Sequence, residues 1–75
     1  MTQIEKIINY IETEGSITPL EALREFGCMR LASRITDIKR MGYNVTVKME
    51  KSKNRHGEAV RYARYSFKGD NENEN

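Results

Sequence analysis

The chain of 75 residues is long enough for a single domain with a small core. It is 37% hydrophobic and 32% charged, and no apolar run approaches the roughly 20 residues that a membrane span needs. The single cysteine excludes an internal disulfide, and the N-terminal MTQIEKIINY lacks the basic and apolar regions of a signal peptide. We therefore expect a cytoplasmic protein, associated with the nucleoid if its ligand is DNA.

The net charge of +2 conceals a strong separation of charge along the chain. Residues 1–27 carry two cationic and five acidic side chains, whereas residues 28–68 carry eleven cationic and three acidic ones. The last residues add three more carboxylates. Such a distribution favours a polyanionic partner for the second half of the chain.

The first helix is predicted to begin at Thr2, because Thr2 and Glu5 have the spacing of a capping box. Its buried stripe consists of Ile4, Ile7, Ile8 and Ile11. Gly15 ends the helix, and residues 16–17 follow as a short extended link that could form one rung of a sheet.

The second helix has equally clear start signals, with Thr18 as the cap, Pro19 at the first position and Glu21 closing a second capping box. Gly27 ends it after about two turns. Its buried face is predicted to consist of Leu20, Leu23 and Phe26.

A third helix is predicted over residues 29–41, so that a short helix, a tight turn and a longer helix follow one another as in a helix-turn-helix unit. A wheel of 100° per residue assigns one arc to the core, namely Cys28, Leu31, Ala32, Ile35 and Ile38. The opposite face and its flanks carry Met29, Arg30, Ser33, Arg34, Asp37 and Arg40.

After Gly42 the apolar period changes from 3.6 to 2, which predicts a β-hairpin. In the first strand, the inward positions are Tyr43, Val45, Val47 and Met49. Residues 51–58 are predicted to form its loop. In the second strand, Ala63, Tyr65 and Phe67 point inward, and Val60, Tyr62, Arg64 and Ser66 point outward. Residues 68–75 are predicted to be a disordered acidic tail.

Three helices followed by a two-stranded C-terminal hairpin predict an α+β fold, a winged helix-turn-helix domain over residues 1–67. In such a domain the second helix of the helix-turn-helix enters the major groove of DNA. The charge on helix 29–41 alone is ambiguous, since Arg34 and Asp37 could simply pair on a solvated face for about 0.2–0.5 kcal/mol.

The basic hairpin favours DNA binding over a solvated face, because nothing in the fold requires its loop to be basic. The residues predicted to hold the backbone or a minor groove are Lys48, Lys51, Lys53, Arg55, His56, Arg61 and Arg64.

The segment ITPLEALREFGCMRLASRITDIKRMGYNV, followed by a basic loop and RYARYSF, resembles a family of small helix-turn-helix proteins common in phages and prophages. Their shared pattern is of the type "ITPLEAL–G–RLA–RI–DL–GY" with a C-terminal "ARY" strand. The resemblance covers roughly residues 16–67. It implies a winged helix-turn-helix fold and a role in binding double-stranded DNA, as a transcriptional regulator or another DNA-transaction factor.

No cofactor, metal or small-molecule ligand is predicted. His56 has no second ligand near it in the sequence, and Cys28 falls on the buried arc, so neither residue indicates a metal site or an enzyme. A domain this small would need a homodimer or several copies on DNA to bind a site tightly. The alternative function is docking on an acidic protein surface, which is disfavoured because the sequence offers no exposed apolar anchor other than Met29, Met41 or Tyr62.

Overall fold

A computed structural model describes residues 1–68 of the chain. Its elements are α1 (Gln3–Glu14), α2 (Pro19–Phe26), α3 (Leu31–Arg40), β1 (Val45–Lys53) and β2 (Ala59–Phe67). The strands form an antiparallel hairpin, so the predicted α+β architecture of three helices and a hairpin is confirmed. The predicted acidic tail lies, apart from Lys68, outside the described residues.

Both capping boxes form as predicted, and they fix where α1 and α2 begin. The Thr2 hydroxyl accepts from the Glu5 backbone N–H at 3.1 Å, and the Glu5 carboxylate accepts from the Thr2 N–H at 2.8 Å. Thr18 and Glu21 repeat the arrangement at 3.2 and 3.0 Å. Each box satisfies two backbone donors that a helix start would otherwise leave without a partner.

The core lies between the three helices and the base of the hairpin. Its buried members are Ile7, Ile8, Ile11, Ile17, Ala22, Cys28, Leu31, Ile35, Ile38 and Phe67. Ile17 exchanges two backbone hydrogen bonds with Tyr65, both of 2.9 Å, which confirms the predicted rung and ties the link between α1 and α2 to β2. The hairpin is thereby held against the helix-turn-helix unit.

The predicted buried face of α2 is wrong in part. Leu20 and Leu23 are 64% and 46% exposed, whereas Ala22 is fully buried and Phe26 is half-buried, edge-to-face against Tyr10. An alanine at the contact lets a short helix approach its neighbours closely, so the two larger side chains are turned outward. This difference leaves apolar surface on the outside of the molecule.

Helix α3 is shorter than the predicted 29–41. Met29 precedes it and Arg30 is its N-cap residue, with no side-chain hydrogen bond at the cap. Ala32, predicted to be buried, is exposed, while Leu31, Ile35 and the rest of the predicted arc are buried. A methyl group carries too little apolar area to determine which way a helix faces.

The hairpin is longer and its loop shorter than predicted. Strand β1 continues to Lys53, so the loop is residues 54–58 and not 51–58. The inward phase of Tyr65 and Phe67 is confirmed, but Val47 and Met49 are about half exposed. The core is covered at the base of the hairpin, and these two side chains lie farther out along it.

The predicted outward face of β2 is also partly covered. Tyr62, Arg64 and Ser66 are half-buried, and Ser66 faces Thr46 across the hairpin with 2.8 Å between their hydroxyl oxygens. Tyr43 precedes β1 and is not part of it, and its ring stacks on Phe67 at a centroid distance of 5.1 Å.

Candidate functional site

The hairpin loop is ordered around one side chain, that of Asn54. Its Oδ1 accepts from the backbone N–H groups of His56 and Glu58, at 2.9 and 3.0 Å, and its Nδ2 donates to the Glu58 carboxylate at 3.0 Å. Gly57 takes a left-handed conformation with φ of 78°, which the turn requires. The loop therefore holds Arg55 and His56 exposed at the end of the hairpin and keeps the Glu58 carboxylate occupied.

The hairpin places cations directly opposite each other at two positions. In the register of the strands, Lys48 faces Arg64 and Lys51 faces Arg61. Like charges at such positions destabilise a sheet unless a third group compensates them. The two pairs differ in this respect.

The Lys48–Arg64 pair is compensated. The Arg64 guanidinium donates to Glu50 at 2.9 Å and to the Ser16 hydroxyl at 3.0 Å, and it lies 4.0 Å from Glu21. The hydrogen bond from Arg64 lowers the pKa of Glu50, and the same bond raises the pKa of the guanidinium. Arg64 thus joins the hairpin to the start of α2.

The Lys51–Arg61 pair is not compensated within residues 1–68. Both side chains are exposed, and neither forms an ion pair or a side-chain hydrogen bond with the described residues. Lys53 and Arg55, also exposed, are equally unpaired there. We refer to residues 51–61 as the hairpin tip; none of its cations forms an ion pair with a carboxylate of residues 1–68.

On α3 most of the predicted cations are engaged. The Arg34 guanidinium donates to the side-chain oxygen of Gln3 at 3.1 Å and to Asp37 at 3.3 Å, which links α3 to α1. Arg40 lies 3.8 Å from the other Asp37 oxygen, with its side chain 78% exposed. Asp37 therefore holds two arginines, and the predicted Arg34–Asp37 pair is present.

Arg30 differs from these two arginines. It is exposed at the beginning of α3, and no described residue pairs with it. Met29 beside it is 84% exposed, and Ser33 is half-buried. The exposed face of α3 also includes Ala32, Thr36 and Lys39, which were absent from the predicted site. Thr36 could have been found from the wheel, because it lies next to Arg40 and Ser33 on the solvent side.

A cleft brings the start of α3 and the hairpin tip together. Met29 and Cys28 line one side of it, and Ser52 and Arg61 line the other, within a volume of about 690 Å³. The two predicted parts of the site are therefore neighbours where α3 begins.

The described residues were also compared with the requirements of a metal site and of a membrane span. Among residues 1–68, no group of three or more His, Cys, Asp or Glu side chains could hold a metal ion. In the same part of the chain, no helix combines the length and hydrophobicity needed to span a membrane.

The fold and the arrangement of its parts define a winged helix-turn-helix domain, with α2 and α3 as the helix-turn-helix and the hairpin as the wing. A family model described as a winged helix-turn-helix domain matches residues 2–69, and the chain belongs to this family. No curated protein and no solved structure matches the chain.

Proposed function

We propose that the chain binds double-stranded DNA sequence-specifically, as a small transcriptional regulator or phage-type DNA-transaction factor of the cytoplasm. Helix α3 enters the major groove, and the wing contacts the backbone or an adjacent minor groove. The observation that carries the proposal is the uncompensated Lys51–Arg61 pair at the hairpin tip. A phosphate backbone supplies the anions that the described part of the chain does not.

The difference between the two cross-strand cation pairs supports this reading. A hairpin that can place Glu50 against Arg64 could equally carry a carboxylate near Lys51, yet the tip has only Glu58, which is bonded to Asn54. Opposed like charges cost the folded state a few tenths of a kcal/mol. Phosphates would remove that repulsion and release counterions on binding.

Within α3 we assign the largest contribution to Arg30, because it is unpaired and lies at the N-terminal end, the part of a recognition helix nearest the bases. A guanidinium can bind guanine through two hydrogen bonds. Ser33 and Arg40 also belong to the proposed surface. Arg34 and Asp37 do too, but their intramolecular bonds leave them less capacity for new ones.

The number of free cations sets the expected salt dependence. Five cations of the proposed surface have no partner among the described residues, namely Arg30, Lys51, Lys53, Arg55 and Arg61. If each neutralises one phosphate, log K falls with log salt at a slope of about −4.5.

Selection of bound sequences from a random duplex library at moderate salt tests the proposal. We expect enrichment of a defined motif whose base preference relaxes in Arg30→Ala. A symmetric or repeated motif would favour a homodimer or several copies on DNA, and a single short motif would favour a monomer. Failure to enrich any sequence, with equal affinity for all duplexes, would contradict sequence specificity; failure to retain any duplex would contradict DNA binding itself.

A further inference from the structure

The cleft between α2 and the hairpin has an apolar lining that DNA binding does not explain. Its exposed aliphatic and methionine side chains come from α2, the following turn and β2, and they are Leu20, Leu23, Met29 and Val60. Leu20 is 64% exposed and Met29 is 84% exposed. Exposed leucines gathered around a concavity are typical of a surface that another molecule covers.

The charges at the cleft are arranged around this apolar lining. Arg24 on α2 and Arg61 on β2 stand on its opposite sides. Arg61 has no ion pair among the described residues, and Arg24 has only a loose one, 4.0 Å from Glu25. Glu21 also lines the cleft, but it already accepts from Thr18 and lies beside Arg64. An occupant should therefore carry apolar side chains flanked by carboxylates.

Apart from α2, which already forms one wall of the cleft, the described surface of this chain offers no such segment to a second copy. The acidic residues of α1, such as Glu12 and Glu14, are exposed, but the isoleucines of that helix face the core. The exposed apolar residues Val47 and Met49 lie on a hairpin rich in cations, which the arginines of the cleft would repel. We therefore take a different protein as the occupant.

We propose that the cleft docks an acidic amphipathic segment of a partner protein. Its apolar side chains would contact Leu20 and Leu23, and its carboxylates would pair with Arg24 and Arg61. Helix-in-groove and similar modes bind peptides of this kind. The inference stands on the cleft alone and does not depend on DNA binding, although Met29 and Arg61 would take part in both.

The test uses the full chain and a displayed library of random peptides of about 16 residues. We expect the enriched peptides to combine Leu, Ile or Phe with Asp or Glu. One such peptide, synthesised with a fluorophore, should lose at least tenfold in affinity for Leu20→Asp and for Arg24→Gln. Met49→Asp is the matched control, because Met49 is 54% exposed but does not line the cleft. It should bind within twofold of the wild type.

We expect Leu20→Asp to fold, because Leu20 is exposed, and circular dichroism checks this. A titration of the isotopically labelled chain, followed by amide chemical shifts, should move residues of the cleft first. The proposal is overturned if no peptide is enriched, if enriched peptides lack acidic residues, or if Leu20→Asp binds as well as the wild type. It is also overturned, in favour of DNA as the occupant, if Leu20→Asp weakens duplex binding and no peptide binds.

Discussion

Helix α3 and the hairpin tip carry similar densities of positive charge but use it differently. On α3, Arg34 and Arg40 share Asp37, and Arg34 also holds Gln3 of α1. At the tip, Lys51 and Arg61 face each other, and neither forms an ion pair with a carboxylate of the described residues. The comparison shows that charge on a surface is available to a ligand only where the fold has not already paired it. We therefore expect the tip to dominate affinity and α3 to contribute chiefly through Arg30.

Removing the tip pair should have the largest effect. Each phosphate contact contributes about a tenfold gain at 0.1 M salt, so Lys51→Thr/Arg61→Thr should bind duplex DNA roughly 50- to 100-fold more weakly. Fluorescence anisotropy with a selected duplex measures it. Lys6→Thr, which removes an exposed cation from α1, is the control and should stay within twofold. Because the control removes one charge and the tip variant two, a control that loses half as much in log K as the tip variant would mean that only net charge matters.

Within α3 we expect Arg30 and Arg34 to differ in their contribution to DNA affinity. Arg30→Ala should weaken binding to the selected duplex by about 1–3 kcal/mol, because it removes an unpaired guanidinium from the end of α3 that we propose contacts the bases. Arg34→Ala should lose less. Competition between selected and random duplexes measures the difference, and a larger loss for Arg34→Ala would reverse the proposed roles.

The same two variants should rank in the opposite order for stability, with the larger loss in Arg34→Ala. Arg34→Ala breaks the bond to Gln3 and should lower the free energy of unfolding by about 1 kcal/mol, or Tm by roughly 4–8 °C. Arg30→Ala should leave Tm nearly unchanged. Thermal unfolding followed by circular dichroism checks both, and a Tm unchanged in Arg34→Ala would show that the link between α1 and α3 is not stabilising.

Lys51→Thr alone should have a smaller effect, and we expect it to stabilise the folded chain. Relief of the repulsion from Arg61 should raise the free energy of unfolding by a few tenths of a kcal/mol, while binding to DNA weakens. Urea unfolding at low ionic strength, where the repulsion is least screened, gives the best precision. A destabilised variant would argue that the tip is not strained by its charges.

The smallest effect concerns the bond between Arg64 and Glu50 and the pH dependence of its contribution to stability. The pKa of Glu50 is lowered in the folded state, so its contribution to stability is complete above the ordinary value and is lost as pH falls through the lowered one. The Tm of the wild type should therefore approach that of Glu50→Gln as pH falls from 6 to 3. A gap between the two that stays constant over this range would mean that the Arg64 bond does not hold Glu50 ionised.

The local signals in the sequence predicted much of the fold. The capping boxes at Thr2 and Thr18 placed two helix starts, and the isoleucine stripe of α1 located the core. The face of α2 was not predictable from apolar size, because the tight contact is made by Ala22 and leaves Leu20 exposed. The same difference leaves Leu20 and Leu23 exposed, and these are the apolar side chains on which the proposed docking site rests.

For the site, the sequence indicated which residues are cationic but not which are free. The bond between Arg34 and Gln3 joins residues 31 positions apart, and no periodicity within one helix could reveal it. The length of the hairpin was missed for a similar reason, since KSK at the end of β1 lacks the apolar alternation of a half-buried strand. That Lys51 lies opposite Arg61 follows from the register of the two strands, which the sequence pattern did not predict.

The salt dependence of DNA binding tests the central claim most directly. We predict a slope of log K against log salt of about −4.5 for the wild type and about −2.7 for Lys51→Thr/Arg61→Thr, because two phosphate contacts are lost. The slope for Lys6→Thr should equal that of the wild type. An equal slope for the tip variant and the wild type would contradict the claim that the unpaired cations of the hairpin tip bind the DNA backbone.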